Sequence, residues 1–125
     1  MASLKFSSFA DRGDLPKERL VLRAETDLNI GQFAIFRSKK SGNGATAGNK
    51  SAYWFPDKKL KRGDLVVLYS KAGKSSVKAL DETRTAHFFY WGKTDPIWAG
   101  DDFGAAILKV ESWTFSVPQV APSED

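Results

Sequence analysis

The chain offers few side chains that could do chemistry. Its 125 residues include one histidine and no cysteine, so a disulfide framework and a thiolate metal site are excluded. A Ser-His-Asp triad or a histidine metal centre would have to be built on His87 alone. Because His87 alternates with Phe89 and Trp91, we interpret it as a packed or edge-exposed histidine within an aromatic strand.

The carboxylates and glycines do not indicate a catalytic site. Asp95, Asp101 and Asp102 share one loop and could offer oxygen ligands to calcium, but EF-hand spacing is absent. We interpret Asp101 and Asp102 as a turn. The segment Gly42–Ala47 matches the dinucleotide-binding fingerprint in form only, because the polar, glycine-containing residues that follow oppose the helix it requires. We therefore predict no catalytic residue, no metal and no cofactor.

The distribution of charge is more informative than its total. The formal net charge is +4, but residues 37–78 hold eleven basic residues against Asp57 and Asp64, a net charge of +9. The rest of the chain holds eight basic and thirteen acidic residues, a net charge of −5. Such asymmetry can indicate an anionic partner. The candidate anion- or nucleic-acid-binding residues are Lys39, Lys40, Lys58, Lys59, Lys61, Arg62, Lys71 and Lys74.

These basic residues fit two interpretations. The turn at Lys58–Arg62 is either a solvated loop that keeps the protein soluble or the centre of an anion-binding surface flanked by loops 38–50 and 70–78. Nine of the eleven basic residues in the segment are lysines, which act as point charges and give little bidentate recognition of bases. Any nucleic-acid binding is therefore expected to be weak and independent of sequence.

The elements that carry these residues are predicted to be strands throughout. Apolar residues recur with a period of two, and no window of a dozen residues keeps a helical period. Strands are predicted at 19–24, 30–36, 53–55, 65–69, 85–91, 105–110 and 113–117, with polar loops at 38–51 and 70–80. About seven or eight short strands at this spacing indicate an all-β, immunoglobulin-like sandwich of antiparallel strands.

A chain of this length is expected to form one domain. Residues 1–17 are predicted to be an irregular N-terminal segment, with Arg12-Gly13-Asp14, the tripeptide that integrins recognise, as a surface turn. Residues 18–118 are assigned to the sandwich and 119–125 to a disordered acidic tail. The apolar residues of the most strand-like segments are expected to be buried: Phe55, Val67, Phe89 and Leu108.

Two further expectations concern exposure and location. Of the four tryptophans, Trp98 is expected to be the exposed one, because it lies in a loop beside Pro96. The N-terminus lacks the apolar region of a secretory signal, and the longest apolar runs are too short to span a bilayer. We therefore expect a soluble, intracellular protein without a membrane span.

The pattern resembles the lamin tail domain, the immunoglobulin-like module at the C-terminus of nuclear lamins that also occurs in bacterial proteins. The likeness covers about residues 18–117. Its main part is Tyr53-Trp54-Phe55-Pro56, Leu60-Lys61, Gly63, Val66-Val67, Leu68-Tyr69 and Ala72-Gly73. Further matches are Leu20-Val21-Leu22-Arg23, Ile30-Gly31-Gln32-Phe33 with Ile35, either Trp91 or Trp98, and Ala105-Ala106-Ile107-Leu108.

The resemblance implies a non-catalytic module for binding or scaffolding. The sequence departs from the family pattern at Glu111-Ser112, where a glycine-containing turn is usual. The resemblance includes neither a coiled-coil rod nor a prenylation box, so we do not carry over a filament role. We expect a protein–protein interaction module within a larger assembly, with unidentified protein partners. The alternative, a weak, sequence-independent nucleic-acid or polyanion binder, would show strong salt dependence.

Overall fold

The computed structural model describes residues 2–42, 44–45 and 51–118. Within these ranges the chain forms eleven strands and one 3₁₀ turn, Ile30–Gln32, so the prediction of an all-β sandwich is confirmed. The strands are β1 (Leu4–Ala10), β2 (Arg19–Ala24), β3 (Leu28–Asn29), β4 (Phe33–Ser41), β5 (Gly44–Ala45), β6 (Ser51–Trp54), β7 (Lys59–Leu60), β8 (Leu65–Tyr69), β9 (Ser76–Ala79), β10 (Thr85–Tyr90) and β11 (Phe103–Lys109).

Two main sheets pack against each other. The first sheet has five strands in the order β1-β2-β8-β10-β9. In the second sheet β4 pairs with β11 on one side and with β6 on the other, while β5 pairs with the end of β4. Strands β3 and β7 form a separate two-stranded ribbon.

One strand pair departs from the predicted antiparallel arrangement. Strands β8 and β10 are parallel, with Val66 opposite His87 and Leu68 opposite Phe89. Parallel neighbours need a long crossover connection, and residues 70–84 provide it. This connection contains β9, which pairs with the far side of β10, so the prediction of a loop at 70–80 is wrong for residues 76–79.

The core lies between the two sheets. Because side chains alternate along a strand, β2 and β8 each direct every second residue into it. The core residues of these two strands are Leu20, Leu22, Ala24, Val66 and Leu68. Phe55 and Phe89 are buried, as predicted, and their rings meet with centroids 5.1 Å apart.

The other two burial predictions have different outcomes. Val67 is buried as predicted, but on the outer face of the first sheet, because its neighbours Val66 and Leu68 point into the core. Leu108 is only half-buried, so its predicted burial is wrong. It lies on the outer face of the second sheet, because the adjacent Ile107 packs against the core.

The ends of the domain also differ from the prediction. Residues 4–10 are not irregular, because β1 pairs with β2 from Leu4 opposite Ala24 to Ala10 opposite Arg19. Strand β4 begins at residue 33, after the 3₁₀ turn, and runs on into the predicted loop. Residues 113–117, predicted as the last strand, pair with no other strand in the described part of the chain. The predicted tail, 119–125, lies outside the described residues.

Candidate functional site

The C-terminal arm, residues 112–118, is the most exposed apolar segment of the described chain. All of its residues are exposed, and 63% of Trp113, 79% of Phe115 and 56% of Val117 is accessible to solvent. The arm carries no charged residue. Trp113 packs edge-on against Trp54 of the second sheet, with ring centroids 5.3 Å apart.

The outer face of the second sheet next to the arm is uncharged. Its cross-strand rows are Trp54, Ala34 and Leu108, followed by Ala52, Phe36 and Ala106. Trp54 is 50% exposed, and its Nε1 donates a hydrogen bond of 2.7 Å to the Gly31 carbonyl. This hydrogen bond holds the indole ring in place on the sheet.

We define the apolar surface as the arm together with the part of the sheet that Trp113 contacts: Phe36, Trp54, Leu108, Trp113, Phe115 and Val117. Phe36 and Leu108 are half-buried and the other members are exposed. Large exposed apolar patches are uncommon on soluble monomers and mark interaction sites. Sequence reasoning missed this surface because the alternation at 113–117 predicts a paired strand with one buried face. It also expected Trp98 to be exposed, whereas Trp98 is 2% exposed and the accessible indoles are those of Trp54 and Trp113.

The candidate basic residues fall into separate groups. The turn that holds Lys58, Lys59, Lys61 and Arg62 is anchored beside β3, where the Lys58 and Arg62 amides donate to Asn29 Oδ1 and Asp27 Oδ1 at 3.0 and 2.9 Å. This turn precedes β8, whereas Lys71 and Lys74 follow it. The five residues of β8 separate the two groups by about 17 Å.

The remaining candidates, Lys39 and Lys40, lie on the second sheet, in β4. The Lys40 amide donates to the Asp102 carbonyl at 2.7 Å, and Lys40 lines an open cleft of about 370 Å³ together with Arg12, Trp98 and Phe103. Lys39, Lys40, Lys71 and Lys74 therefore do not form one continuous patch with the 58–62 turn. Lys50 lies outside the described residues.

None of the lysines in the described ranges takes part in an ion pair. The Lys71 ammonium instead lies 5.2 Å from the centre of the Tyr69 ring. Tyr69 in turn stacks on Tyr90, with centroids 5.2 Å apart, on the outer face of the first sheet. These cations are thus available to an anionic partner, but in dispersed groups.

His87 is packed, and it forms a buried pair with a carboxylate. Its Nε2 lies 3.0 Å from Asp64 Oδ2, and both residues are buried. Burial alone would raise the pKa of Asp64, but hydrogen bonds from the Lys61 amide, His87 and the Thr85 amide outweigh it and lower that pKa. His87 Nδ1 has no hydrogen-bond partner among the described residues, so no serine completes a triad. The pair ties the start of β8 to β10.

A second buried carboxylate organises the opposite end of the sandwich. Glu18 is inaccessible to solvent and accepts hydrogen bonds from the Gly13, Ile97 and Trp98 amides at 2.8, 2.8 and 3.3 Å. It also accepts one from the Ser70 hydroxyl at 2.5 Å. Sequence reasoning missed both buried acids, because nothing local distinguishes Glu18 from a surface glutamate.

The integrin tripeptide is held against the body of the domain. Arg12 Nε donates to the Trp98 carbonyl at 2.8 Å, its NH2 group donates to the Gly100 carbonyl, and the Gly13 amide binds Glu18. The three residues are nevertheless exposed, and 44% of the Arg12 side chain is accessible to solvent. The interpretation of the tripeptide as a surface turn is therefore confirmed.

The described residues show neither a metal-binding cluster nor a membrane-spanning helix. No group of three or more His, Cys, Asp or Glu side chains in these ranges is arranged to hold a metal ion. No helix there is long and apolar enough to cross a membrane. Neither a protein-family model nor a curated protein sequence matches the chain.

Proposed function

We propose that this protein is a non-enzymatic protein-binding module that docks through its apolar surface, as a scaffolding part of a larger assembly. The observation that carries the proposal is the exposure of the arm, where Trp113, Phe115 and Val117 are each more than half accessible. Full burial of such a side chain contributes about 1.5–3 kcal/mol. A partner that covers the arm would thus gain most of its affinity there.

The composition of the apolar surface fits this role. Tryptophan is enriched among the residues that dominate binding energy in protein interfaces, whereas charged residues are depleted from interface centres. Trp54 and Trp113 contact each other, and the members of the surface are uncharged. The lamin-tail resemblance also favours an interaction module, since that family is not catalytic.

Site-specific photo-crosslinking tests the proposal. A benzophenone amino acid is placed at Phe115 and, as a matched control, at Phe6, an aromatic residue that is 46% exposed on β1. After irradiation in an extract of the producing cells, we expect protein adducts at position 115 well in excess of those at position 6. Equal yields at the two positions, or no adduct at 115, would reject the apolar surface as a docking site.

A second candidate function is weak binding of nucleic acid or another polyanion. The observation that favours it is the absence of ion pairs to the lysines of the described ranges. Because the candidate basic residues lie in separate groups, an extended polyanion would contact one group at a time, with low affinity and strong salt dependence. The basic turn beside β3 holds the most candidates, so it is the group to test.

A further inference from the structure

The two main sheets differ in width. The five-stranded sheet extends to β9 beyond β10, whereas on that side the second sheet ends at β6. The contacts of Tyr53 with Trp91, at 5.9 Å between centroids, and of Phe55 with Phe89, at 5.1 Å, place β6 over β10. No strand of the described chain therefore lies over β9.

The side chains of β9 show the consequence of this difference. Val77 pairs with His87, and His87 pairs with the core residue Val66, so all three side chains point to the inner side of the sheet. Yet Val77 is 52% exposed. Among the described residues, β6 pairs with β4 alone and its other edge is free. We call the free edge of β6 and the inner face of β9 the strand slot.

The arm has the properties of a strand that would fill this slot. In an extended conformation Trp113, Phe115 and Val117 would lie on one side of the chain, and Thr114 and Ser116 on the other. An added strand with this pattern would direct its apolar side chains over Val77 and its polar ones to solvent. Backbone pairing with a free edge supplies affinity, and alternate side chains supply specificity.

We infer that two copies of this chain exchange their arms, each arm completing the second sheet of the other copy at its strand slot. The inference rests on the proposed function, because the arm is the docking element of both. Donor and acceptor lie on the same chain, so a two-fold arrangement satisfies both at once. Within its own copy the arm makes the Trp113–Trp54 contact, and its apolar side chains are still exposed. Few favourable contacts are therefore lost when the arm moves to the other copy.

The area available is sufficient for a stable dimer. An aromatic side chain buries about 150–250 Å², so two arms and the slots that receive them would remove on the order of 1,500 Å² from solvent. Specific interfaces bury about 1,200–2,000 Å² in total. The exchanged arms alone thus reach the size of an ordinary specific interface.

Sedimentation of the purified protein is the first test. We expect wild type to be a dimer at about 100 µM, and Trp113→Ser/Phe115→Ser to raise the dissociation constant by about 100-fold or more. Phe6→Ser is the matched control, since Phe6 is 46% exposed on the opposite edge of the first sheet, and it should leave the dimer unchanged. A monomeric wild type, or equal loss in the control, overturns the inference.

Crosslinking between labelled copies tests where the arm goes. The chain has no cysteine, so an Ala52→Cys copy and a size-tagged Ser116→Cys copy provide single reactive sites on β6 and on the arm. A flexible bis-maleimide should join the two copies in a mixture. In a dilute chain carrying both substitutions, crosslinking only within the chain would show that the arm fills its own slot, which overturns the exchange.

The two proposals fail separately. If the purified protein stays monomeric while the photo-crosslinker at Phe115 captures another protein, then exchange is wrong and the protein-binding function stands. If both experiments give nothing, then the apolar surface is not a docking site.

Discussion

Replacing Glu18 with glutamine should destabilise the fold far more than the small chemical change suggests. The carboxylate is inaccessible to solvent and accepts two hydrogen bonds on each oxygen. Glutamine keeps one acceptor oxygen and replaces the other with an NH2 group. With the NH2 group toward Ser70, the hydroxyl can rotate to accept from it, and the Ile97 amide is then left without an acceptor. A buried donor left without an acceptor costs about 1–3 kcal/mol, so the free energy of unfolding should fall by roughly 1–3 kcal/mol.

The size of this loss should depend on pH. Burial alone would raise the pKa of Glu18, but hydrogen bonds from the Gly13 amide, the Ser70 hydroxyl, and the Ile97 and Trp98 amides outweigh it and lower the pKa from its ordinary value. A carboxylate with a depressed folded pKa stabilises the fold above its unfolded pKa and loses that stabilisation as the pH falls through the folded value. The difference between wild type and Glu18→Gln should therefore be full at neutral pH and shrink in acid.

Urea unfolding at neutral pH and at several acidic values measures both effects. Glu82→Gln is the matched control, because Glu82 is exposed in a loop, and it should change stability by less than about 0.5 kcal/mol. A Glu18→Gln loss below about 1 kcal/mol at neutral pH would refute the claim that this carboxylate organises the loops around it. A difference that stays constant into acid would refute the role assigned to its charge.

Three further predictions address the core, a close backbone contact and the basic turn. Phe55→Ala should lower the free energy of unfolding by about 3–5 kcal/mol in urea titration, because it leaves a cavity against Phe89; a loss below about 1 kcal/mol would contradict its place in the core. Gly73→Ala should lower the free energy of unfolding by about 1–3 kcal/mol, because the new Cβ would lie 2.6 Å from the Tyr90 ring. Gly104→Ala is the control, because a Cβ at Gly104 meets nothing within 4 Å. The basic turn is tested by replacing four residues with glutamine: Lys58, Lys59, Lys61 and Arg62. In titrations of labelled duplex DNA at two ionic strengths, binding should weaken with added salt and in this variant, while the free energy of unfolding stays nearly unchanged. Equal binding by wild type and variant, or no binding at low salt, would mean that the turn is only a solvated surface.

The sequence by itself determined the class of fold and the location of its most regular strands. Strand β2 begins and ends where its period-two pattern predicts, and β8 where its short run of strand-forming apolar residues predicts. Burial of Phe55 and Phe89 was predictable for the same reason. His87 was predictable as a packed residue, since it lies among aromatic residues of one strand.

Tertiary structure decided which strands pair and which residues meet. The parallel β8–β10 pair, the edge strands β1 and β9 and the unpaired residues 113–117 depend on competition between distant segments, which local propensity does not report. The same holds for the candidate sites. Charges within residues 37–78 lie close in sequence, yet β8 keeps Arg62 and Lys71 at opposite ends of a rigid strand. The four hydrogen bonds of Glu18 join it to residues 5, 52, 79 and 80 positions away, because only the folded sandwich brings those donors to one carboxylate.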